Sequence, residues 1–246
     1  MPNEGPVLTR GRYRIAPARG AADIQAAQAL RTASFATPAP DRDDFDDTSL
    51  HMLVTHLGSG TPVCCFRLLP GHGGTGPRQS YAAQFYDLDV LFAGQRRIAE
   101  LGRFCLRPGW HDPDILRIAW AALTRIVDSR RIDMLIGCTS FAGLSPHPYR
   151  AAFDLLAARH LAPDCWAPRL RAPEVIRFAR QAAPAPDRMR AMQQMPPLLR
   201  SYLTMGGRVG DHAVVDRQMG TLHVFTGMEI SAIPAARQRL LRTIAG

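Results

Sequence analysis

The chain has 246 residues, enough for one large domain or two small ones with a real core, and its 46% hydrophobic and 21% charged residues are an ordinary globular balance. No apolar run approaches the roughly 18–20 residues needed to cross a bilayer, which excludes a membrane-spanning helix. Thirty basic residues, every one an arginine, stand against 21 acidic ones, and the formal charge of +9 suits an acidic protein partner or an anionic surface.

In chain order, residues 12–18 read as a first strand and 21–35 as a helix with Ile24, Ala27, Leu30 and Phe35 on its apolar face. A Pro/Asp-rich loop covers 36–49. The runs "LHMLVTHL" (50–57) and "PVCCFRLLP" (62–70) form a hairpin of two strands, followed by a glycine-rich connection over 71–79. Residues 98–107 are the next strand, 113–129 an amphipathic helix, 132–141 a buried strand and 148–160 a helix. The stretch 180–197 is a linker candidate, and 198–231 combines a short helix with strand-like runs that either complete the sheet or form a lid. This order predicts a mixed α/β fold with a partly antiparallel sheet. A core over 1–170 with an extension over 171–246 is one division of the chain; a single domain over 1–246 is the other.

Composition narrows the chemistry. Five scattered cysteines without CxxC spacing suit buried thiols in a reducing cytoplasm, and residues 1–20 lack the apolar core of a secretion signal. Glycine-rich 71–78 lacks the GK[ST] ending of a phosphate-binding loop. The histidines, His51 and His111 among them, lack zinc-ligand spacing, so no metal is expected. Ser140 in "GCTSFAG" is not in a GxSxG turn, which leaves no nucleophile elbow. Aromatic residues are only 7% and do not interleave with arginine as a nucleic-acid platform requires.

One set of residues remains. In "AELGRFCLRPGW", Glu100 and Arg103 sit in a strand otherwise filled by Ile98, Leu101, Phe104 and Leu106. Burying either charge unpaired costs several kcal/mol. Arg31 and Phe35 at the end of the first helix, Phe45 and Asp46 in the loop, and His51 and Arg67 in the hairpin join them. By residue chemistry alone this is either a polar site or a set of internal ion pairs tying helix and loop to the sheet.

Taken together, "DDFDDTSLHMLV", "PVCCFRLLP", "AELGRFCLRPGW", "MLIGCTSFAG" and "PPLLRSYLTMGGRVGDHAVVDRQMGTLHVF" resemble the ornithine-acyl carrier protein N-acyltransferases, or lyso-ornithine lipid synthases, of the GNAT superfamily. The likeness spans roughly 20–230, and a more distant one runs to the acyl-homoserine lactone synthases. It implies a GNAT-like, largely antiparallel sheet flanked by helices with a C-terminal extension. It also implies transfer of a 3-hydroxyacyl chain from the 4′-phosphopantetheine of acyl carrier protein to the α-amine of ornithine, with no further cofactor.

On that resemblance Glu100 is the base, and Arg103 acts beside it. Strand 98–107 is the splayed strand whose backbone N–H groups hold the thioester carbonyl, around Cys105 and Leu106. Arg107 and His111 face the arm's single phosphate. Asp112 and Asp114 would repel a pyrophosphate, which argues against acetyl-CoA and fits a carrier-protein donor. Arg31, Phe35, Asp46, His51 and Arg67 surround the amino acid, the arginines for its carboxylate and Asp46 for an ammonium. Ser140 and Phe141 belong to the acyl side, where Leu135, Ile136, Phe141 and Leu144 either line a slot or are core. Glutamine as acceptor, a lactone synthase, and a non-catalytic protein that binds the carrier or an anionic membrane surface remain the alternatives. The expected location is the cytoplasm, with peripheral contact at the inner face of the membrane.

Overall fold

Alternating and periodic apolar residues turn into elements much where the sequence places them. The computed structural model describes residues 4–37, 39–71, 79–94, 96–178 and 187–245. The elements begin with β1 (Leu8–Arg10), β2 (Tyr13–Pro17), α1 (Gly20–Phe35), β3 (Leu50–His56), β4 (Pro62–Pro70), α2 (Tyr81–Phe85), β5 (Tyr86–Asp87), α3 (Asp89–Phe92) and β6 (Ile98–Leu106). They continue with α4 (Pro113–Arg130), β7 (Met134–Ala142), α5 (Arg150–Arg159), β8 (Arg169–Leu170), β9 (Val175–Arg177), α6 (Arg188–Gln194) and α7 (Pro197–Thr204). The last three are β10 (Arg208–Asp216), β11 (Thr221–Glu229) and α8 (Ala235–Ala245). The chain divides into two compact units, the first made of 1–70, 101–132 and 235–246, the second of 71–100 and 133–234.

In the first unit, β1 to β4 form an antiparallel meander, with Ile15 opposite Val54 and Met52 opposite Phe66. Leu101–Leu106 of β6 belongs to this unit. Helix α1 buries Ala27 and Leu30 against Leu53, Cys65 and Cys105, with Phe35 packed beside them. Helix α4 buries Ile115, Ile118, Ala119, Ala122 and Ile126, the stripe its spacing predicts. Asp112 caps it by accepting from the Asp114 N–H at 2.9 Å, and Pro113 opens its first turn. Helix α8, absent from the sequence reading, contributes Arg242, which pairs with Asp128 of α4 at 3.2 Å.

In the second unit, β6 and β7 run parallel from Ile98 opposite Met134 to Glu100 opposite Ile136. Strands β7, β11, β10 and β9 follow as antiparallel neighbours. Residues 198–231 therefore complete a sheet rather than form a lid. One face carries Phe141, Leu222, Val224 and Ala213 under α5. The other carries Ile136, Phe225 and Val214 with Tyr86, Leu91 and Phe92 from the α2–α3 segment. Within the expected linker, α6 occupies Arg188–Gln194, while 179–186, like 72–78 of the glycine-rich connection, lies outside the described residues. The mixed α/β fold with a largely antiparallel sheet and flanking helices is the predicted one.

Candidate active site

The first unit holds a closed ring of charges. The Arg31 guanidinium forks onto Asp46, donating to Oδ1 at 2.7 Å and Oδ2 at 2.9 Å, and also meets Asp41. Arg67 donates to Asp46 Oδ1 at 2.7 Å and to Asp43 Oδ2 at 2.7 Å. Arg103 donates to Asp41 Oδ1 at 3.1 Å and Asp43 Oδ2 at 3.2 Å. Each arginine touches two aspartates and each aspartate two arginines, so the formal charges cancel. That cancellation makes the burial tolerable.

Local structure delivers the parts. Helix α1 supplies Arg31 and, one turn earlier, Gln28, which donates to Asp46 Oδ2 at 2.9 Å. The Thr32 hydroxyl accepts the Asp41 N–H at 2.9 Å, seating the loop against the helix. His51 of β3 lies 2.9 Å from the Asp46 carbonyl through Nε2, and burial lowers the imidazole below its ordinary value, so it stays neutral and donates. Burial pushes the Asp46 carboxyl up, but the hydrogen bonds of Arg31 and Gln28 and the charges of Arg31 and Arg67 win, holding it far below the usual carboxylate range. Phe45 lays its ring 5.5 Å from the Arg67 guanidinium carbon. The side chains of Arg31, Asp41, Asp46 and Arg67 are at most 4% exposed, whereas Asp43 is 23% and Arg103 11%. The ring therefore opens to solvent at Asp43 and Arg103.

Arg103 also has a left-handed backbone, φ 52°, in mid-strand. For a non-glycine residue this costs roughly 1–2 kcal/mol and is the conformation that marks a bulge. Its two aspartate partners hold it there. Beyond it, Cys105 lies with its Sγ 3.6 Å from Cys65 Sγ, and the Leu106 carbonyl accepts from the Ser34 hydroxyl at 2.9 Å.

The turn after β6 places Arg107 against the Pro62 carbonyl at 2.7 Å and leaves His111 exposed. Asp112 accepts from Arg12 and from the Tyr13 hydroxyl, both at 3.0 Å, and Asp114 pairs with Arg117 at 2.9 Å and Arg10 at 3.4 Å. The repulsion that the sequence suggests at this turn is thus offset by three arginines, and the Asp112 side chain occupies the first free N–H of α4.

Glu100 belongs to the second unit and is 5% exposed. Its carboxylate accepts the Tyr81 N–H at 3.0 Å on Oε2 and the Ala82 N–H at 2.7 Å on Oε1, at the start of α2. Two backbone N–H groups thus meet the Glu100 carboxylate, and Asp41 and Asp43 meet the Arg103 guanidinium. Ser140 is exposed on β7, while Phe141, 1% exposed, packs 5.0 Å from both Tyr149 and Phe153 in the core. Leu135 and Ile136 are core as well, and Leu144 is exposed. A cleft of about 380 Å³ in this unit is lined by Leu161, Asp164, Arg169, Arg177 and Asp211, none of them a predicted site residue. Among the described residues no cluster of three or more His, Cys, Asp or Glu side chains is placed to hold a metal.

Sequence reasoning missed Asp41 and Asp43, although the acid run "DRDDFDD" was the available signal. It also missed Tyr81, whose contribution is a backbone N–H that no residue type announces.

Residues 11–121 match the model of the acetyltransferase (GNAT) domain. An L-ornithine N(alpha)-acyltransferase of Rhodobacter capsulatus is 33% identical over 90% of this chain and 91% of its own length. The chain belongs to the L-ornithine N(alpha)-acyltransferase family. It is an acyltransferase. Among solved structures, FeeM, an N-acyl amino acid synthase from uncultured soil microbes, shares the fold with a TM-score of 0.54 at 9% identity, over 92% of this chain and 98% of that one. BjaI, a CoA-dependent acyl-homoserine lactone synthase, follows at 0.50 and 12% identity, over 92% and 83%.

Proposed function

We propose that this acyltransferase moves a 3-hydroxyacyl chain from the 4′-phosphopantetheine thioester of an acyl carrier protein to the α-amine of ornithine, giving lyso-ornithine lipid. The observation that carries the reading is the 33% identity, over 90% of this chain and 91% of the relative, with a protein named for acylating ornithine at the α nitrogen. The α-ammonium must lose one proton before it attacks, the tetrahedral oxyanion must be held, and the second proton follows the departing thiolate. Glu100, fixed on both oxygens, takes the first proton directly or through a water. The part of β6 beyond the left-handed Arg103 offers backbone N–H groups to the thioester carbonyl near Cys105 and Leu106.

The amino acid is received by the ring. Asp46 is 3% exposed and Asp43 23%, so the carboxylate an ammonium reaches from solvent is Asp43, with Arg103 and then Arg67 on the carboxylate side. Arg31, His51 and Phe35 support that arrangement from behind. Arg107 and His111 meet the arm's phosphate. A chain of charge +9 attracts an acidic carrier and, for an amphipathic product, an anionic membrane face. Among the described residues no helix is long and apolar enough to cross a membrane.

The test is thiol release from 3-hydroxyacyl carrier protein with ornithine, glutamine, glycine or no amine, repeated with the same acyl group on coenzyme A. Release driven by ornithine and carrier is expected. Release with glutamine in its place assigns the other acceptor, equal rates with coenzyme A remove the carrier, and no release with any amine refutes the reading.

A further inference from the structure

Helix α2 has five residues, too few to fix its own place, yet two of its N–H groups hold Glu100. Its first turn is tied down twice. The Ser80 hydroxyl accepts the Ala83 N–H at 3.2 Å, the ordinary cap. At the other tie, the Tyr81 hydroxyl donates to Asp216 Oδ2. Asp216 is 3% exposed and ends β10, paired with Thr221 across the turn, and its Oδ1 accepts the Met219 N–H at 2.9 Å. The aromatic ring of Tyr81 lies tilted against Phe85 at 5.1 Å and His223 at 6.0 Å.

We propose that Tyr81 and Asp216 are positioning residues for Glu100: the β10–β11 turn fixes Asp216, Asp216 fixes the Tyr81 hydroxyl, and Tyr81 anchors the turn whose two backbone N–H groups, its own and that of Ala82, aim the carboxylate. All of these residues lie in the second unit. The inference rests on the reading of Glu100 as the base. A base displaced by a fraction of an ångström works more slowly without binding its substrates less well, because substrate contacts lie elsewhere.

The experiment is steady-state kinetics on Tyr81→Phe, Asp216→Ala and Asp216→Asn, with Glu100→Gln alongside and thermal melting of each. Tyr81→Phe keeps the ring and both N–H groups and removes only the tie. About a tenfold loss in kcat is expected, with KM for ornithine within about twofold and the melting temperature little changed. Asp216→Ala should match it, and Asp216→Asn, which still offers a partner to the hydroxyl, should recover most of the rate. Wild-type kcat in Tyr81→Phe, or a loss carried by KM, overturns the inference. If Tyr81→Phe does not fold, the contrast between Asp216→Ala and Asp216→Asn decides, and equal rates in those two overturn it. Full activity in Glu100→Gln sinks the base assignment itself, a failure separate from normal rates in Tyr81→Phe alone.

Discussion

Removing Asp46 would leave Arg31 and Arg67 sharing one carboxylate fewer where water does not reach. Breaking a buried pair on one side typically costs about 3–5 kcal/mol, so Asp46→Ala should lower the urea midpoint severely. Asp43→Ala, at the open corner, should cost about 1 kcal/mol because solvent takes over part of its role. Equal losses in the two variants would show that the ring's burial is not what makes it rigid. His223 supplies a second test. Burial lowers it to about 4 from 6.5, so the unfolded chain binds a proton first as pH falls. Its contribution is complete above pH 6.5, drains away between 6.5 and 4 and is constant below that; the total is about 3 kcal/mol. His51 and His160, also lowered by burial, act with the same sign, so the test is the difference between wild type and His223→Leu. The wild type should lose more stability than the variant over that window. Parallel pH curves would refute the assignment. At this scale the sequence showed which charges needed an explanation, Glu100, Arg103, Arg67 and Arg31, but not their pairing. Pairing depends on which loop carboxylate meets which arginine, and spacing along the chain carries no such information.

Elements with long periodic patterns were legible: α1, α4, the β3–β4 hairpin, β6 and β7 all fall within a few residues of their predicted bounds. Helices α2 and α3, with five and four residues, have too little length for a period, and the sequence reading assigns no element to Tyr81–Phe92. The left-handed backbone at Arg103 was equally silent, because a left-handed arginine is stabilised by tertiary partners and not by its own preference. Strand β11 offers a check on packing at this scale. At Gly227 an added Cβ would lie 2.6 Å from Met134 Cε and 2.7 Å from Trp166 Cζ3. Gly227→Ala should therefore destabilise by about 1–3 kcal/mol, read from chemical denaturation. A neutral result would mean that Trp166 can shift at no cost.

For the whole molecule, the charge of +9 is the property that reaches furthest. Attraction between exposed charges is screened over about 8–10 Å at ordinary salt, so kcat/KM for a carrier-bound donor should fall several-fold between about 50 and 500 mM salt. The same acyl group on free phosphopantetheine should show little of that loss. Equal salt sensitivity for both donors would remove electrostatic steering from the account.

The cations of the ring are guanidinium groups, and no side chain anywhere in the sequence is a primary amine. Guanidinium stays protonated far above the pH at which an ammonium gives up its proton, so alkaline conditions that arm the acceptor leave the ring's charge intact. An activated thioester held against this protein also meets no lysine to capture its acyl group. Mass spectrometry after prolonged incubation with loaded carrier should find no acylated side-chain nitrogen, a safeguard against self-modification written into the composition.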